Sequence, residues 1–141
     1  MRKLLAFFCA AIMLLGLVSC GQKVVKPEAQ VFADGAVIKI KEKDVTKTFT
    51  VEVVDKDGAM TTVTVKTDLE TVGEVLQEAG MLQGEAGPYG LYIKTVNGIT
   101  ADYETDGTYW AFYVDGEYAM AGVDMTESAD GAVYTLQVET M

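Results

Sequence analysis

Histidine is absent from this chain, and arginine occurs once, at Arg2. Without imidazole there is no Ser-His-Asp relay, no ordinary base poised near neutral pH and no zinc site of the common histidine-bearing kinds. Beyond Arg2 no guanidinium is present to clamp a phosphate or carboxylate in bidentate fashion. Cysteine is limited to Cys9 and Cys20, and serine to Ser19 and Ser128, with no lysine near Ser128 in sequence. The glycine-rich run Gly84-Glu85-Ala86-Gly87-Pro88-Tyr89-Gly90 follows a helical pattern instead of preceding one, so it does not read as a phosphate cradle. A carboxylate pair of the glycosidase kind is the one catalytic option left, and it is a weak signal because acids are abundant. The expectation is a protein that is not an enzyme.

The N-terminus reads as a processing signal. Arg2 and Lys3 precede an uncharged apolar run from Leu4 to Val18, shorter than the about 20 residues a membrane span needs and laid out as a secretory signal. It ends in Leu17-Val18-Ser19-Cys20-Gly21, which resembles the bacterial lipobox. That resemblance implies cleavage after Ser19 and acylation of Cys20; the other readings are an ordinary signal with an incidental cysteine, or an uncleaved anchor. Several acyl chains on one cysteine would hold the protein on the outer face of a cell membrane. With Cys9 removed and Cys20 acylated, no thiol remains for a disulfide, a nucleophile or a metal.

Loss of Arg2 and Lys3 from the 11 basic residues leaves nine lysines against 21 acids, a net charge of −12. The excess is uneven. From Thr67 to Met141 the one cation is Lys94, facing fourteen acids. Such a field is the opposite of what a phosphate backbone requires, so nucleic acid is excluded as a partner, and anionic small molecules are disfavoured. The acidity is read either as solubility near an anionic surface or as a cation preference. The oxygen-rich stretches Asp55-Lys56-Asp57-Gly58 and Asp102-Tyr103-Glu104-Thr105-Asp106-Gly107 lack the twelve-residue calcium-loop pattern and read first as turns.

The chain divides into a signal at 1–19, a lipid-anchored flexible tether at 20–44 and one domain at 45–141. Within the tether only Val37-Ile38-Lys39-Ile40 shows apolar alternation. Thr48 to Val53 and Thr61 to Val65 alternate around the Asp55–Gly58 turn and predict a hairpin. Thr67 and Glu70 stand at capping-box spacing, and Leu69, Val72, Val75, Leu76, Ala79 and Leu82 recur at helical intervals, predicting one three-turn helix ended by Gly80 or Gly84. Strands follow at Leu91–Val96, ended by the turn pair Asn97-Gly98, at Tyr109–Val114 and Tyr118–Ala121 around Asp115-Gly116, and at Gly131–Val138. The order β-β-α-β-β-β-β predicts an α+β domain of β-grasp-like outline, one helix packed on a mostly antiparallel sheet.

The stretch Thr108 to Tyr118, TYWAFYVDGEY, concentrates aromatics beside a turn. In a strand, Trp110, Phe112 and Val114 share one face, and Tyr109, Ala111 and Tyr113 the other. Core packing with β propensity accounts for such a row; so does a face that binds a ligand, since tyrosine and tryptophan give large rigid contacts. Both readings stand at this point.

Thr67 to Glu139, with TDLETVGEVLQEAG, GPYGLYIKTVNGI, YWAFYVDGEYAMAGVD and DGAVYTLQVE, resembles a domain of unknown function found in lipoproteins of Gram-positive gut bacteria. That domain is similar to the C-terminal domain of transcobalamin and intrinsic factor, the animal cobalamin carriers. The resemblance implies a β-grasp-like fold and a ligand-binding role, with Tyr109, Trp110 and Tyr113 carried over as candidates; Tyr118, across the turn, joins them. A cobalamin or related corrinoid is the implied ligand. The expected protein is thus a lipid-anchored extracellular binding module, or else a structural or adhesive module that binds protein or glycan at the cell surface.

Overall fold

Alternation of apolar and polar residues builds the longest strands of this protein. The computed structural model describes residues 29–88 and 90–140. These form a six-stranded mixed sheet and a three-stranded antiparallel sheet, and the longest helix among the described residues has seven residues. The balance is consistent with an α+β class.

The expected hairpin forms between β2 (Lys47–Val54) and β3 (Met60–Thr67). Asp55 makes its turn by accepting the N–H groups of Asp57 and Ala59, each at 2.9 Å, while Gly58 takes φ of 89°. Phe49, Val51, Val53, Val63 and Val65 all point inward and are fully buried. Each such side chain contributes about 1.5–3 kcal/mol on leaving water.

The tether begins to fold earlier than the sequence suggested. Residues 20–28 lie outside the described residues, but Ala36–Ile40 forms β1, parallel to β3 at the sheet edge. Ala36, Ile38 and Ile40 pack against the core, and the polar partners of this segment are fixed. Asn97 accepts from Phe32 N–H at 2.7 Å and donates to its carbonyl at 3.0 Å. Asp68 accepts the N–H groups of Glu42, Lys43 and Asp44 at 2.8, 2.9 and 3.2 Å. The proposed boundary at residue 44 is therefore corrected: from residue 29 the chain is part of the folded unit, because β1 and its flanks give their backbone groups to the domain.

The last strand, β9 (Val133–Thr140), lies between β2, to which it is parallel, and β7 (Thr108–Val114), to which it is antiparallel. The full order is β1-β3-β2-β9-β7-β8, with β8 (Glu117–Tyr118) at the far edge. Two of its five strand pairings are parallel and three antiparallel, so the sheet is mixed but mostly antiparallel, as expected. Asp115 and Gly116, at φ of 50° and 87°, turn β7 into β8 as the sequence implied. β8 stops at Tyr118 instead of continuing to Ala121.

The helix, α1, spans Val72–Glu78 and starts one turn later than expected. Thr71, not Thr67, caps it by accepting Glu74 N–H at 3.1 Å. Thr67 is buried at the end of β3, where its hydroxyl accepts Leu69 N–H at 3.0 Å. Thr71 and Glu74 also have capping-box spacing, and only the strand length decides between the two threonines. At the other end Gly80, at φ of 77°, lets its own N–H reach Gln77 O and Met81 N–H reach Leu76 O, both at 3.0 Å. These two bonds close the helix as a Schellman cap. Val72, Val75 and Leu76 complete the core with Tyr134 and Leu136.

The smaller sheet runs β4 (Leu82–Gly87), β5 (Gly90–Val96) and β6 (Ile99–Thr100). β5 and β6 turn at Asn97-Gly98, with φ of 51° and 83°. β4 was not expected, since its glycines mask the alternation, and the pairing is irregular between Gln83 and Gly84. A short helix α2 (Tyr103–Asp106) and a 3₁₀ turn (Val123–Met125) bracket β7 and β8. The predicted order β-β-α-β-β-β-β thus gives way, among the described residues, to nine strands with helix α1 and these shorter turns between them.

Candidate functional site

The aromatic strand divides its two faces. Trp110 and Phe112 point inward and are buried, with Phe112 stacked on Tyr134 at 6.2 Å. Trp110 donates its indole N–H to the carbonyl of Lys94 on β5 at 3.1 Å. The same carbonyl accepts Ala101 N–H at 3.0 Å, so this one oxygen joins β7, β5 and the segment after β6. Lys94 itself pairs with Asp102 at 3.9 Å and lies 5.6 Å from the ring centre of Tyr92.

On the other face, Tyr109 and Tyr113 are half-buried and donate their hydroxyls to the two oxygens of Glu139, at 3.1 and 2.5 Å. Hydrogen bonding to Glu139 raises both tyrosine pKa values, Tyr113 to about 12, with burial and the charge of Glu139 as further causes. Tyr118 crosses the turn to meet Tyr113 edge-on at 5.6 Å.

β8 pairs only with Tyr113 and Val114, and Ala119 N–H adds one bond to Phe112 O at 3.0 Å. Along the rest of that side β7 faces the smaller sheet across a groove of about 430 Å³. Tyr109, Trp110 and Phe112 form one wall, Leu91, Tyr92 and Ile93 the opposite wall, and the segment from Tyr118 to Val123 the end. The volume is within the about 300–1,000 Å³ of small-molecule sites. Of the sequence candidates, the structure brings Tyr109, Trp110 and Tyr118 to this groove. Tyr109 and Tyr113 both send their hydroxyls to Glu139 on the outer face; Tyr109 still borders the groove, whereas Tyr113 reaches it only through its contact with Tyr118. Cys20 lies outside the described residues.

Sequence reasoning did not find the β5 wall, the rim residue Met120, which is 98% exposed, or Asp124. The last stands in the 3₁₀ turn beside the groove, where one carboxylate oxygen accepts Leu91 N–H at 3.2 Å. Its neighbour Met125 is also exposed, and together with Gly122 the pattern reads locally as a loop.

The charged turns hold themselves together. Asp102 caps α2 by accepting Glu104 N–H, and Asp106 accepts from Thr108, whose hydroxyl bond is the main reason the Asp106 carboxyl titrates below the usual range. Among the described residues, no three His, Cys, Asp or Glu side chains gather as metal ligands would. No helix among them is long and apolar enough to cross a membrane.

Residues 70–139 match the domain of unknown function DUF4430, and the chain belongs to that family. Among solved structures it is similar to a protein of Ruminococcus gnavus ATCC 29149 described as a candidate metal-binding protein. That alignment has 32% identity and a TM-score of 0.65, covering 68% of this chain and 99% of the other. It is also similar to haptocorrin in complex with Cbi, at 19% identity and a TM-score of 0.49, over 70% of this chain and 27% of that one. No curated protein matches the chain.

Proposed function

We propose that this protein is a ligand-binding module whose site is the groove between β5 and β7. The observation that carries the reading is the groove itself: an aromatic wall of Tyr109, Trp110 and Phe112 faces Leu91, Tyr92 and Ile93 across about 430 Å³. Aromatic and aliphatic walls suit a largely apolar molecule held by a few polar contacts. The scaffold is β-grasp-like, as the central order β3-β2-β9-β7 with its parallel β2/β9 pair supports. Acylated at Cys20, the module would stand on the outer face of the cell membrane and bind there without catalysis.

A corrinoid is the ligand to test first. Its macrocycle exceeds the groove, so one edge would sit between the walls and the rest would remain for a membrane or surface partner. With no histidine in the chain, binding would rest on shape and polar contacts, not on imidazole ligation of cobalt. The experiment is titration of the full chain in detergent with cobalamin and cobinamide, following Trp110 fluorescence with an inner-filter control and calorimetry. The expected result is saturable quenching that Tyr109→Ala and Tyr118→Ala weaken. No binding up to about millimolar, where the free energy is only about −4 kcal/mol, would remove the corrinoid.

A second reading is a structural or adhesive module for protein or glycan. It is favoured by the exposed side chains of Tyr118, Met120 and Met125, which are 62%, 98% and 68% exposed, as at a surface that meets a partner.

A further inference from the structure

Asp124 is held more tightly than a loop carboxylate needs to be. Helix α1 approaches it so closely at Gly73 that a Cβ there would come within 2.9 Å of the Asp124 backbone. Its Oδ2 accepts the N–H of Leu91, a residue of the groove wall. Its Oδ1 is buried and has no hydrogen-bond partner among the described residues. Two glycines flank that oxygen: a Cβ on Gly90 would lie 3.0 Å from it and a Cβ on Gly122 3.2 Å from it. Gly90 also has φ of 108°, which disfavours any side chain. Leu91, Gly122 and Val123, all in the groove lining, thus stand between the groove and a fixed carboxylate with one unused acceptor oxygen, and a ligand donor reaches that oxygen as the Gly90 and Gly122 backbone over it gives way.

A buried acceptor without a donor is destabilising, and a ligand donor would offset that cost on binding. The surrounding charge selects among ligands. From Thr67 to Met141 Lys94 is the one cation among fourteen acids, and it is paired with Asp102. No lysine lines the groove. An anionic or acceptor-only group would meet the carboxylate oxygen without a proton to share.

We propose that Asp124 is the polar anchor of the groove, its free oxygen accepting a hydrogen bond from an N–H donor, amide or ammonium, on an otherwise apolar ligand. The inference rests on the groove reading and deepens it. It also defines what the Asn variant must do. Leu91 N–H requires an acceptor, so the side-chain oxygen of Asp124→Asn turns to Leu91 and its NH₂ occupies the position of Oδ1. The site then donates where it formerly accepted.

The test uses four water-soluble probes of one shape: 2-phenylethylamine, phenylacetamide, phenylacetate and methyl phenylacetate. Each is titrated into the full chain in detergent, with backbone amide shifts of Leu91 and Gly122 and the indole shift of Trp110 as readouts. In the wild type the amine and the amide bind at least tenfold more tightly than the acid and the ester. In Asp124→Asn the order reverses, the ester and acid gaining on the amine. An Asp124→Ala variant removes the discrimination, and unchanged shifts elsewhere show that both variants fold. If all four probes bind alike, or if the wild-type order survives in Asp124→Asn, the anchor is overturned while the groove stands. If no probe moves the groove signals, the groove reading and the anchor fail together. The amine and amide arms separate the two kinds of donor.

Discussion

The indole N–H of Trp110 donates to the carbonyl of Lys94 at 3.1 Å, and this bond ties the large sheet to the small one. It joins the two strands that form the walls of the groove, so the tryptophan serves the core and the site at once.

Replacing Trp110 with Phe keeps a ring in the core but removes the indole donor and leaves a gap. The Lys94 carbonyl retains Ala101 N–H, so it is not left without a partner. A loss of about 1–3 kcal/mol is expected, measured as a shift of the denaturant midpoint at unchanged slope. A shift below about half a kcal/mol would show that the bond does not hold the sheets together.

Tyr113 gives the fold a sensitivity to alkali. Its folded pKa of about 12 lies above the ordinary value of 10.0. A raised pKa contributes stability that is complete below the unfolded value and is lost as pH rises through the folded one. Stability should therefore decline between about pH 10 and 12. Glu139→Gln should bring the tyrosinate absorbance transition of Tyr113 back toward its ordinary range and flatten that decline. An unmoved transition would mean that Glu139 is not the cause.

Asp68 behaves in the opposite sense. The N–H groups of Glu42 and Lys43 lower its folded pKa most, so its contribution is present above its unfolded pKa of about 3.9 and fades as pH falls below it. Denaturant midpoints measured from neutral pH down to acid should slope less in Asp68→Asn than in the wild type. Hydrogen exchange at residues 42–44 should rise in that variant at neutral pH. Equal acid slopes would place the sensitivity elsewhere, with Asp106 the next residue to replace.

Anchoring at Cys20 has its own test. Cys20→Ala should abolish acylation and leave the protein in the soluble fraction or as the uncleaved precursor, read by fractionation and mass spectrometry. A processed, membrane-bound, acylated product from that variant would rule out Cys20 as the lipid site.

Much of the fold was legible in local pattern. Strict alternation marked β2 and β3 because one face of each is buried and the other is not, and the pairs Asn97-Gly98 and Asp115-Gly116 marked their turns because positive φ is needed there. Thr71 and Thr67 were not distinguishable by spacing, since each has a glutamate three positions on. The choice fell to Thr71 because β3 continues through Thr67, whose neighbours are set by pairing with β2. β4 was hidden by its glycines, which pack through the backbone and leave no side-chain period to read.

By itself the sequence determined the composition of the site: an aromatic strand, an acidic field and no histidine. It also determined the class of the fold, because periodicity of two and of 3.6 residues is a local property of the chain. Tertiary structure alone decided which tyrosines meet the groove, since Tyr109 and Tyr118 reach it only because β8 is short and β5 crosses that side of β7. It alone set Asp124 among Gly73, Gly90 and Gly122, residues far apart in the chain whose missing side chains matter only once three elements come together.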